Sequence, residues 1–333
     1  MIMRNQQRSR DTGQKCRKMR ALAMYFIINM IVLFGPKNAF ASVGKILIQR
    51  QLVTLEKEYG GRLGIYAIDT GNDFIIAYNA KQRFPICSIS KVMSVAAILK
   101  QSMQAPSLLN QNIRYSKTRL ISSGYAPITR KHIHTGMRIK SLCDAAVSYS
   151  DNTAANLLMQ RLGGPKAVTA FARSIGDSKF YLVRWEPELN AAIPGDKRDT
   201  STPKAMSQSL QKLVLEDVLA VKQRKHLADW LIKNTTGSTR IRAGVPRSWV
   251  VGDKTGTGNY GTTNDVAVIW PPKCKPIILS IYYTQASKNA RPNDEVLTKA
   301  THDIMKTFAQ HDACLAADAI NSPLDYKPCK LNR

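Results

Sequence analysis

The alternation of apolar and polar positions places strands towards both ends of the chain. Residues 62–69 and 74–78 have the apolar, β-branched character of strands, and the turn-forming residues 70–73 between them predict a hairpin. Strand character returns at 249–255, 264–270 and 277–284. Between 85 and about 233 the pattern predicts mostly helical segments separated by Gly and Pro.

Terminal helices complete the predicted fold. The apolar residues of 42–59 and 294–309 recur at helical spacing, so both segments are expected to be amphipathic helices. The order of elements indicates an α+β fold, in which terminal helices flank an antiparallel sheet and an all-helical domain is inserted between its strands. With 333 residues and 44% hydrophobic content, the chain can bury one large core or two smaller ones.

This pattern also gives domain boundaries. The sheet domain is predicted to be discontinuous, comprising residues 42–81 and 233–310, and the helical domain comprises residues 82–232. Residues 311–333 are expected to form a loosely attached tail.

The first 41 residues have the layout of a secretory signal peptide. A basic segment precedes an apolar run at 21–35, and Ala39-Phe40-Ala41 supplies the small residues of a cleavage site. The run is shorter than the ~20 residues of a transmembrane helix, and an uncleaved anchor is the alternative. We predict cleavage after Ala41 and export to the periplasm. The long basic segment leaves open whether Met1 or Met19 is the true start.

The positive charge of the chain raises the question of its partners. The chain has 49 Lys and Arg against 23 Asp and Glu, a net charge of +26; the leader holds eight of these basic residues and one acid, so +19 remains after cleavage. Such charge can indicate nucleic acid binding. The basic residues are scattered, however, without an aromatic-interleaved cluster or a nucleic-acid motif. We interpret them as a solvated surface that attracts anionic small molecules.

Cysteine positions argue against a metal centre. The six cysteines, at 16, 87, 143, 274, 314 and 329, form no C-x-x-C or Cys/His cluster. Cys16 is removed with the signal peptide, so an odd number of cysteines, five, remains in an oxidising compartment. Cys314 and Cys329 bracket the tail, and we predict a disulfide between them.

A serine and a lysine three residues apart are the first candidates for chemistry. Ser88 and Lys91 lie on one side of a predicted helix whose apolar positions continue to Leu99. Burial disfavours the charged form of a lysine, and beside a hydroxyl the lysine can take or relay the proton that makes serine a nucleophile. Such a pair also occurs by chance, so its meaning depends on the rest of the chain.

Three further motifs follow in order along the chain. They are Ser150-Asp151-Asn152, the loop segment Trp185-Glu186-Pro187-Glu188-Leu189-Asn190, and Lys254-Thr255-Gly256 at a strand end. On its own, Ser150-Asp151-Asn152 favours a helix-capping turn, and Lys254-Thr255-Gly256 favours an ordinary strand end. Together with S-x-x-K, the S-D-N and K-T-G motifs form the set shared by class A β-lactamases and penicillin-binding proteins.

The surrounding runs resemble the cefotaxime-hydrolysing branch of the class A serine β-lactamases, over about residues 45–309. The matching runs are Tyr149-Ser150-Asp151-Asn152-Thr153-Ala154, Ile193-Pro194-Gly195-Asp196 and Val251-Gly252-Asp253-Lys254-Thr255-Gly256-Thr257-Gly258. The resemblance implies the serine β-lactamase/penicillin-binding-protein fold, with the active site between the two domains. It further implies a monomer without metal or cofactor that hydrolyses penicillins and cephalosporins through an acyl-serine.

The resemblance also implies roles for the motif residues. Ser88 would be the nucleophile, and either Lys91 or Glu186 would be the base of acylation. Ser150 would pass a proton to the departing ring nitrogen. Glu186 and Asn190 would hold the water that attacks the acyl-enzyme.

Substrate contacts follow from the same resemblance. Backbone N–H groups of Ser88 and Thr257 would form the oxyanion hole. Tyr125 would wall the cleft, with a packing tyrosine as the alternative, and Arg240 would support the substrate carboxylate, with a surface arginine as the alternative. The full implied set of substrate-binding residues is Asn152, Lys254, Thr255, Gly256, Thr257, Tyr125 and Arg240.

The loop that carries Glu186 resembles the omega loop of the family, over residues 184–199. Its ends would be tied by an ion pair between Arg184 and Asp199, and the Glu186-Pro187 bond is cis in relatives, as proline permits.

Two alternatives to hydrolysis stay open. A D-alanyl-D-alanine peptidase, or a sensor that stays acylated, would use the same serine; the presence of Glu186 and Asn190 argues against both.

Three positions near the site bear on specificity. Some carbapenem-hydrolysing members of the family link a cysteine at the position of Cys87 to a second cysteine, whose position is Gly258 here. That disulfide cannot form, so the resemblance does not imply strong carbapenem hydrolysis. Thr257 and Gly258, in place of bulkier residues, favour oxyimino-cephalosporins. The position that would pair with Cys143 in other members holds Val95, so Cys143 is expected to be a small buried apolar residue.

Overall fold

The computed structural model describes residues 36–321, so most of the predicted leader and residues 322–333 lie outside it. The chain divides into two compact units, Met1–Leu47 and Ile48–Arg333. Helix α1 spans Pro36–Tyr59, and so starts before the predicted residue 42. No helix in residues 36–321 combines the length and hydrophobicity that a membrane span requires.

Of the remaining α-helices in residues 36–321, seven lie between the first and last long strands and two follow the last strand. They are α2 (Ser90–Ser102), α3 (Lys117–Ser123), α4 (Ile139–Ser148), α5 (Asn152–Leu162), α6 (Pro165–Ser174), α7 (Pro203–Val214), α8 (Val221–Ile232), α9 (Asp294–His311) and α10 (Ala313–Asn321). Their ends follow local chemistry. Gly163 ends α5 with a φ of +103°, Pro165 begins α6, and the Thr202 side chain caps α7.

The strands form one large antiparallel sheet and two small ribbons. The long strands are β1 (Arg62–Asp69), β2 (Phe74–Tyr78), β7 (Val250–Gly258), β8 (Thr262–Trp270) and β9 (Ile277–Thr284), and the short ones are β3 (Phe84–Pro85), β4 (Asn112–Ile113), β5 (Met137–Arg138) and β6 (Thr200–Ser201). The order in the large sheet is β2-β1-β9-β8-β7. Strands from both ends of the chain thus pair side by side, with Ile65 opposite Ile281, as the sequence predicts.

Both faces of the sheet are covered, because alternate residues of its inner strands enter different hydrophobic clusters. Val266 and Val268 pack with the helices of the middle of the chain, whereas Ala267 and Ile269 pack with α9 and the part of α1 from Ile48 onward. Strand β8 is consequently almost fully buried along its length. Helix α2, which follows the candidate nucleophile Ser88, lies in the core that contains Val266 and Val268.

The C-terminal tail differs from its prediction. The disulfide joins Cys274 to Cys314, so the predicted Cys314–Cys329 bridge is wrong; Cys329 itself lies outside the described residues. The β8–β9 connection brings Cys274 within a Cα–Cα distance of 5.8 Å of Cys314, which suits a disulfide. Leu315 of α10 is buried in the core beside α9, so the described part of the tail is firmly attached.

Candidate active site

The candidate nucleophile lies on a tight turn at the start of α2. Ser88 belongs to the 3-10 turn Cys87–Ile89, and Cys87 has a φ of +48°, a conformation that non-glycine residues seldom adopt. Residues held in this region cluster at functional sites. Helix α2 then runs through the core, which buries Lys91 to 1% exposure one turn after the serine.

Lys91 is the centre of a dense hydrogen-bond network. Its Nζ lies 2.9 Å from Ser88 Oγ, 2.6 Å from Asn152 Oδ1, 2.8 Å from the Ser150 carbonyl oxygen and 3.2 Å from Ser150 Oγ. It also forms an ion pair of 3.0 Å with Glu186 Oε1, in which both side chains are almost completely buried. The carboxylate compensates for the desolvation of the ammonium.

Glu186 contacts both the serine and the lysine. Ser88 Oγ donates to its Oε1 at 3.1 Å, and Asn190 Nδ2 donates to its Oε2. The backbone of Glu186 is fixed by the Asn156 amide, whose Oδ1 accepts from the Glu186 N–H at 3.0 Å and whose Nδ2 donates to the Glu186 carbonyl at 2.8 Å. The carboxylate is therefore held within proton-transfer distance of the hydroxyl.

The 184–199 loop is tied both to itself and to the nucleophile turn. Arg184 pairs with Asp199, as expected, and with Asp196 at 3.3 Å. The carbonyl of Asp199 accepts a hydrogen bond of 2.9 Å from the N–H of Ile86, two residues before Ser88. The Glu186-Pro187 bond is cis, also as expected.

Asp151 organises the Ser150-Asp151-Asn152 turn. Its carboxylate caps α5 by accepting from the Ala154 N–H at 2.9 Å, and it also accepts from the N–H groups of Ile128 and Thr129. With Asp151 directed inward and Ser150 at a φ of +57°, the flanking Ser150 and Asn152 face Lys91. The middle residue of the motif is thus structural.

Strand β7 brings the second lysine to the site. Lys254 is fully buried, and its Nζ donates to Ser150 Oγ at 3.0 Å and to the Thr255 carbonyl at 2.8 Å. Burial, reinforced by the positive charge of Lys91, lowers the pKa of Lys254 to about 7. A Cβ at Gly256 would approach the Ile86 carbonyl oxygen to 2.8 Å, so glycine is needed for β7 to lie against the nucleophile turn.

Arg240 and Tyr125 lie beside the S-D-N and K-T-G segments but differ in burial. Arg240 is buried; it pairs with Asp294 at 2.8 Å and donates to Thr257 Oγ1 at 2.8 Å, so it is not a surface arginine. The Tyr125 side chain is 55% exposed, which excludes a packing tyrosine, and its carbonyl accepts from the Asn152 N–H at 2.8 Å. The structure thus brings every predicted site residue to one region.

Several supporting residues do not follow from the motifs. Asn156 lies one helical turn after Asn152, a spacing that could have revealed it. Asp253, which directly precedes Lys254, accepts from Arg242 Nε and from Asn234 Nδ2 at 2.6 Å each. Burial raises the pKa of Asp253, while the Arg242 charge opposes that shift. Asp253 thus anchors the start of the K-T-G segment.

Cys87 and Cys143 are both buried and form no disulfide, as expected for Cys143. Burial and the negative charge of Glu186 raise the pKa of the Cys87 thiol, which makes it unreactive. A Cβ at Gly258 would lie 2.7 Å from Cys87 Sγ. Gly258, which occupies the position of the disulfide partner, therefore lies directly against the Cys87 thiol.

A serine hydroxyl in contact with a lysine and a carboxylate is the arrangement of a serine hydrolase. The model of the β-lactamase enzyme family matches residues 47–308. Beta-lactamase CTX-M-97 of Escherichia coli is 52% identical over 277 residues, which are 83% of this chain and 94% of the relative. The carbapenem-hydrolyzing β-lactamase KPC of Klebsiella oxytoca is 51% identical over 255 residues, 76% and 86% of the two chains.

Solved structures agree with the sequence relatives. A variant of the last common ancestor of Gram-negative class A β-lactamases superimposes with a TM-score of 0.77 and 48% identity, covering 80% of this chain and all of that one. The chain belongs to the β-lactamase enzyme family, in class A. This confirms the predicted resemblance, the α+β fold and the assignment as a hydrolase of β-lactams.

Proposed function

We propose that the protein hydrolyses penicillins and cephalosporins, including oxyimino-cephalosporins, through an acyl-Ser88 intermediate. The observation that carries this proposal is the position of Ser88 Oγ, 2.9 Å from Lys91 Nζ and 3.1 Å from Glu186 Oε1. One neighbour can take the hydroxyl proton while the other supplies positive charge. A nucleophile so placed attacks the carbonyl carbon of the strained lactam amide.

Acylation begins with transfer of the Ser88 proton. Because Ser88 Oγ donates directly to Glu186, the geometry supports Glu186 as the acceptor and Lys91 as the charge that stabilises the new alkoxide. The oxyanion that forms on the substrate would be met by the backbone N–H groups of Ser88 and Thr257, a contribution of ~3 kcal/mol per donor in comparable sites.

Ser150 is the proposed acid for the ring nitrogen. Its Oγ lies 3.0 Å from Lys254 Nζ and 3.2 Å from Lys91 Nζ, so it connects the two lysines. When the lactam C–N bond breaks, the Ser150 hydroxyl gives its proton to the nitrogen and regains one from Lys91. Lys91 in turn takes the proton that Glu186 accepted from Ser88, across their contact of 3.0 Å, so Glu186 is a carboxylate again before deacylation.

Deacylation requires a water between Glu186 and Asn190. Asn190 Nδ2 donates to the Glu186 carboxylate, whereas the buried Asn190 Oδ1 has no hydrogen-bond partner in residues 36–321. That oxygen and the carboxylate can both accept from one water, which fixes its orientation and allows Glu186 to remove its proton. This water then attacks the acyl carbon, and Glu186 returns the proton to Ser88 Oγ as the ester C–O bond breaks.

The substrate carboxylate is proposed to bind at the end of β7. Thr257 Oγ1 accepts from Arg240 Nη2 at 2.8 Å, which leaves its own proton for an acceptor in the cleft. Thr255 and the Lys254 ammonium would complete this anion site, with the Asn152 amide and Tyr125 contacting the side chain of the substrate. Gly256 provides the backbone that passes beneath the drug.

The cellular setting is proposed from the sequence. Export by the N-terminal segment and cleavage after Ala41 are supported by the layout of residues 1–41, and action as a periplasmic monomer completes this proposal. The division into a sheet domain (42–81 and 233–310) and a helical domain (82–232) belongs to the same proposal, with the active site between them.

Mass spectrometry of the intact protein tests the proposed function. After seconds of exposure to benzylpenicillin, we expect excess drug to be hydrolysed and the protein to return to its unmodified mass. Ser88→Ala should neither hydrolyse the drug nor carry an adduct. A persistent adduct on the parent protein would identify a sensor, and release of D-alanine from a D-Ala-D-Ala peptide without β-lactam turnover would identify a peptidase. If the parent protein hydrolysed benzylpenicillin but left cefotaxime intact, only the oxyimino-cephalosporins would be removed from the proposed substrates.

A further inference from the structure

A cavity of about 320 Å³ outside the β-lactam site is lined by four lysines. We call it the lysine pocket and define it by Lys81, Lys179, Lys204 and Lys212. Its volume is at the lower end of the range for small-molecule sites. None of its lining residues belongs to the catalytic or substrate-binding residues described above.

Three separate segments build the lysine pocket, and they are joined by hydrogen bonds. Lys204 and Lys212 lie two turns apart on α7, with Gln208 between them at the same helical spacing, so the three share one face. The Lys204 N–H donates to the Ala80 carbonyl at 3.0 Å, which holds the backbone next to Lys81 against the start of α7. The arrangement is therefore part of the fold.

The positive charge of this pocket is not neutralised. Within residues 36–321, none of the four ammonium groups forms an ion pair with a carboxylate. Lys212 Nζ donates to the Ile175 carbonyl at 2.8 Å, a neutral partner. Like charges around one concave surface repel one another, and an anion bound between them would remove that repulsion.

Asp177, the acidic residue of the lining, offsets only part of the charge of the four lysines and forms no ion pair with them. Asp177 is 4% exposed, and its Oδ1 accepts from the N–H groups of Lys179 and Phe180 at 2.8 Å each. Its Oδ2 accepts from Ser209 Oγ at 3.0 Å. Both carboxylate oxygens of Asp177 thus accept hydrogen bonds from residues at the base of the pocket and hold these residues together.

A second cavity shows the opposite arrangement. The space of about 440 Å³ between the α1 segment from Arg50 and α9 also contains basic residues. There Lys299 pairs with Glu58 at 3.2 Å and with Glu295 at 3.4 Å. A lysine that lines a cavity of this positively charged protein can thus be paired, as Lys299 is, whereas the four ammonium groups of the lysine pocket form no ion pair within residues 36–321.

We propose that the lysine pocket binds a phosphate-bearing anion. A phosphate group offers several oxygens and up to two negative charges, which suits several flexible ammonium donors, and the Gln208 amide can donate beside them. The ligand is either a soluble polyphosphorylated molecule or the headgroup of an anionic phospholipid, since both present the same chemistry. Binding should weaken as ionic strength rises.

The test uses the purified full chain with two probes. Sodium tripolyphosphate is titrated by calorimetry at low and high salt, and vesicles of phosphatidylglycerol or of phosphatidylcholine are tested by co-sedimentation. The pocket variant is Lys81→Gln, Lys179→Gln and Lys204→Gln together. Lys212 is kept because it donates to the Ile175 carbonyl.

A matched variant controls for net charge. Lys57→Gln, Lys166→Gln and Lys222→Gln remove the same charge from exposed positions outside the lysine pocket. We expect at least about tenfold weaker binding for the pocket variant and less than about twofold for the control, with β-lactam turnover unchanged in both.

The outcomes separate the sources of the phosphate. Pocket-dependent binding of tripolyphosphate alone supports a soluble ligand, and pocket-dependent binding of phosphatidylglycerol vesicles supports a lipid headgroup. Failure of the parent to bind either probe would overturn the proposal. So would an equal loss in the two triple variants, because binding would then follow net charge and not the pocket.

Discussion

Lys91 and Lys254 are both almost completely buried, and both donate a hydrogen bond to the Ser150 hydroxyl. Lys91 also has a carboxylate at 3.0 Å, whereas the hydrogen-bond partners of Lys254 are a hydroxyl and a backbone carbonyl. Burial and the positive charge of Lys91 lower the pKa of Lys254 to about 7. Residue type and burial are the same, so the two lysines differ in their partners: Lys91 contacts a carboxylate, and Lys254 contacts only neutral oxygen atoms.

The largest effect should come from breaking the ion pair of Lys91. Lys91→Met leaves Glu186 buried without its cation, so we expect kcat/KM for a cephalosporin to fall by on the order of 10³-fold or more and the free energy of unfolding to fall by about 3 kcal/mol. Steady-state kinetics and urea denaturation measure the two quantities.

The double variant Lys91→Met with Glu186→Gln is the control for this prediction. Removing both charges should recover most of the lost stability while activity stays low. If the double variant were no more stable than Lys91→Met alone, the pairing of Lys91 with Glu186 would not be the source of the stability.

Replacing the second lysine should have the opposite effect on stability. Lys254→Met removes a buried charge that lacks a carboxylate partner, so we expect the free energy of unfolding at pH 6 to rise by about 1–2 kcal/mol. Loss of the substrate contact should lower kcat/KM by on the order of 10²-fold. Destabilisation like that of Lys91→Met would show that the two lysines do not differ.

The pH dependence of kcat/KM should report Lys254. Its protonated form binds the substrate carboxylate, so kcat/KM should decrease about tenfold per unit as the pH rises above about 7. Lys254→Arg should lose this decline, because a guanidinium stays protonated. An identical alkaline limb in both proteins would assign it to another group.

The same pKa predicts the pH dependence of stability. A lysine whose pKa is lowered on folding binds more protons in the unfolded chain between its two pKa values. The destabilising contribution of Lys254 is therefore complete below pH 7 and is relieved as the pH rises towards the ordinary value of 10.5.

The smallest effect concerns the hydroxyl beside the anion site. Thr257→Val removes the group that accepts from Arg240 and that would donate to the substrate carboxylate, so KM for cefotaxime should rise by about three- to tenfold. Thr257→Ser keeps the hydroxyl and should behave nearly as the parent. Equal KM values in all three proteins would exclude Thr257 from substrate binding.

Much of the sheet and of the site followed from sequence. The strands Arg62–Asp69, Phe74–Tyr78 and Ile277–Thr284 have the predicted bounds, since their apolar runs end at turn residues. Strand β7 continues to Gly258, beyond the predicted residue 255, because pairing with Thr262 of β8 overrides the low strand propensity of Thr-Gly repeats.

The errors arose where tertiary structure brings distant residues together. The disulfide of Cys314 was assigned to Cys329, a near neighbour, but the fold places Cys274 beside it across a sequence separation of 40. The role of the Asp253 carboxylate depends on Asn234 and Arg242, which lie in a separate segment and do not follow from motif spacing. The position of Asn156, one helical turn after Asn152, is by contrast a signal that the sequence does contain.

The central claim is that the Lys91–Glu186 pair serves an acyl-Ser88 enzyme in which Glu186 completes hydrolysis. The most direct test follows a chromogenic cephalosporin in the stopped flow with the parent and with Glu186→Gln. We predict many turnovers for the parent, whereas the variant should acylate once, if slowly, and release product on the order of 10³-fold more slowly. Continued rapid turnover by Glu186→Gln, or a single turnover by the parent, would contradict the account.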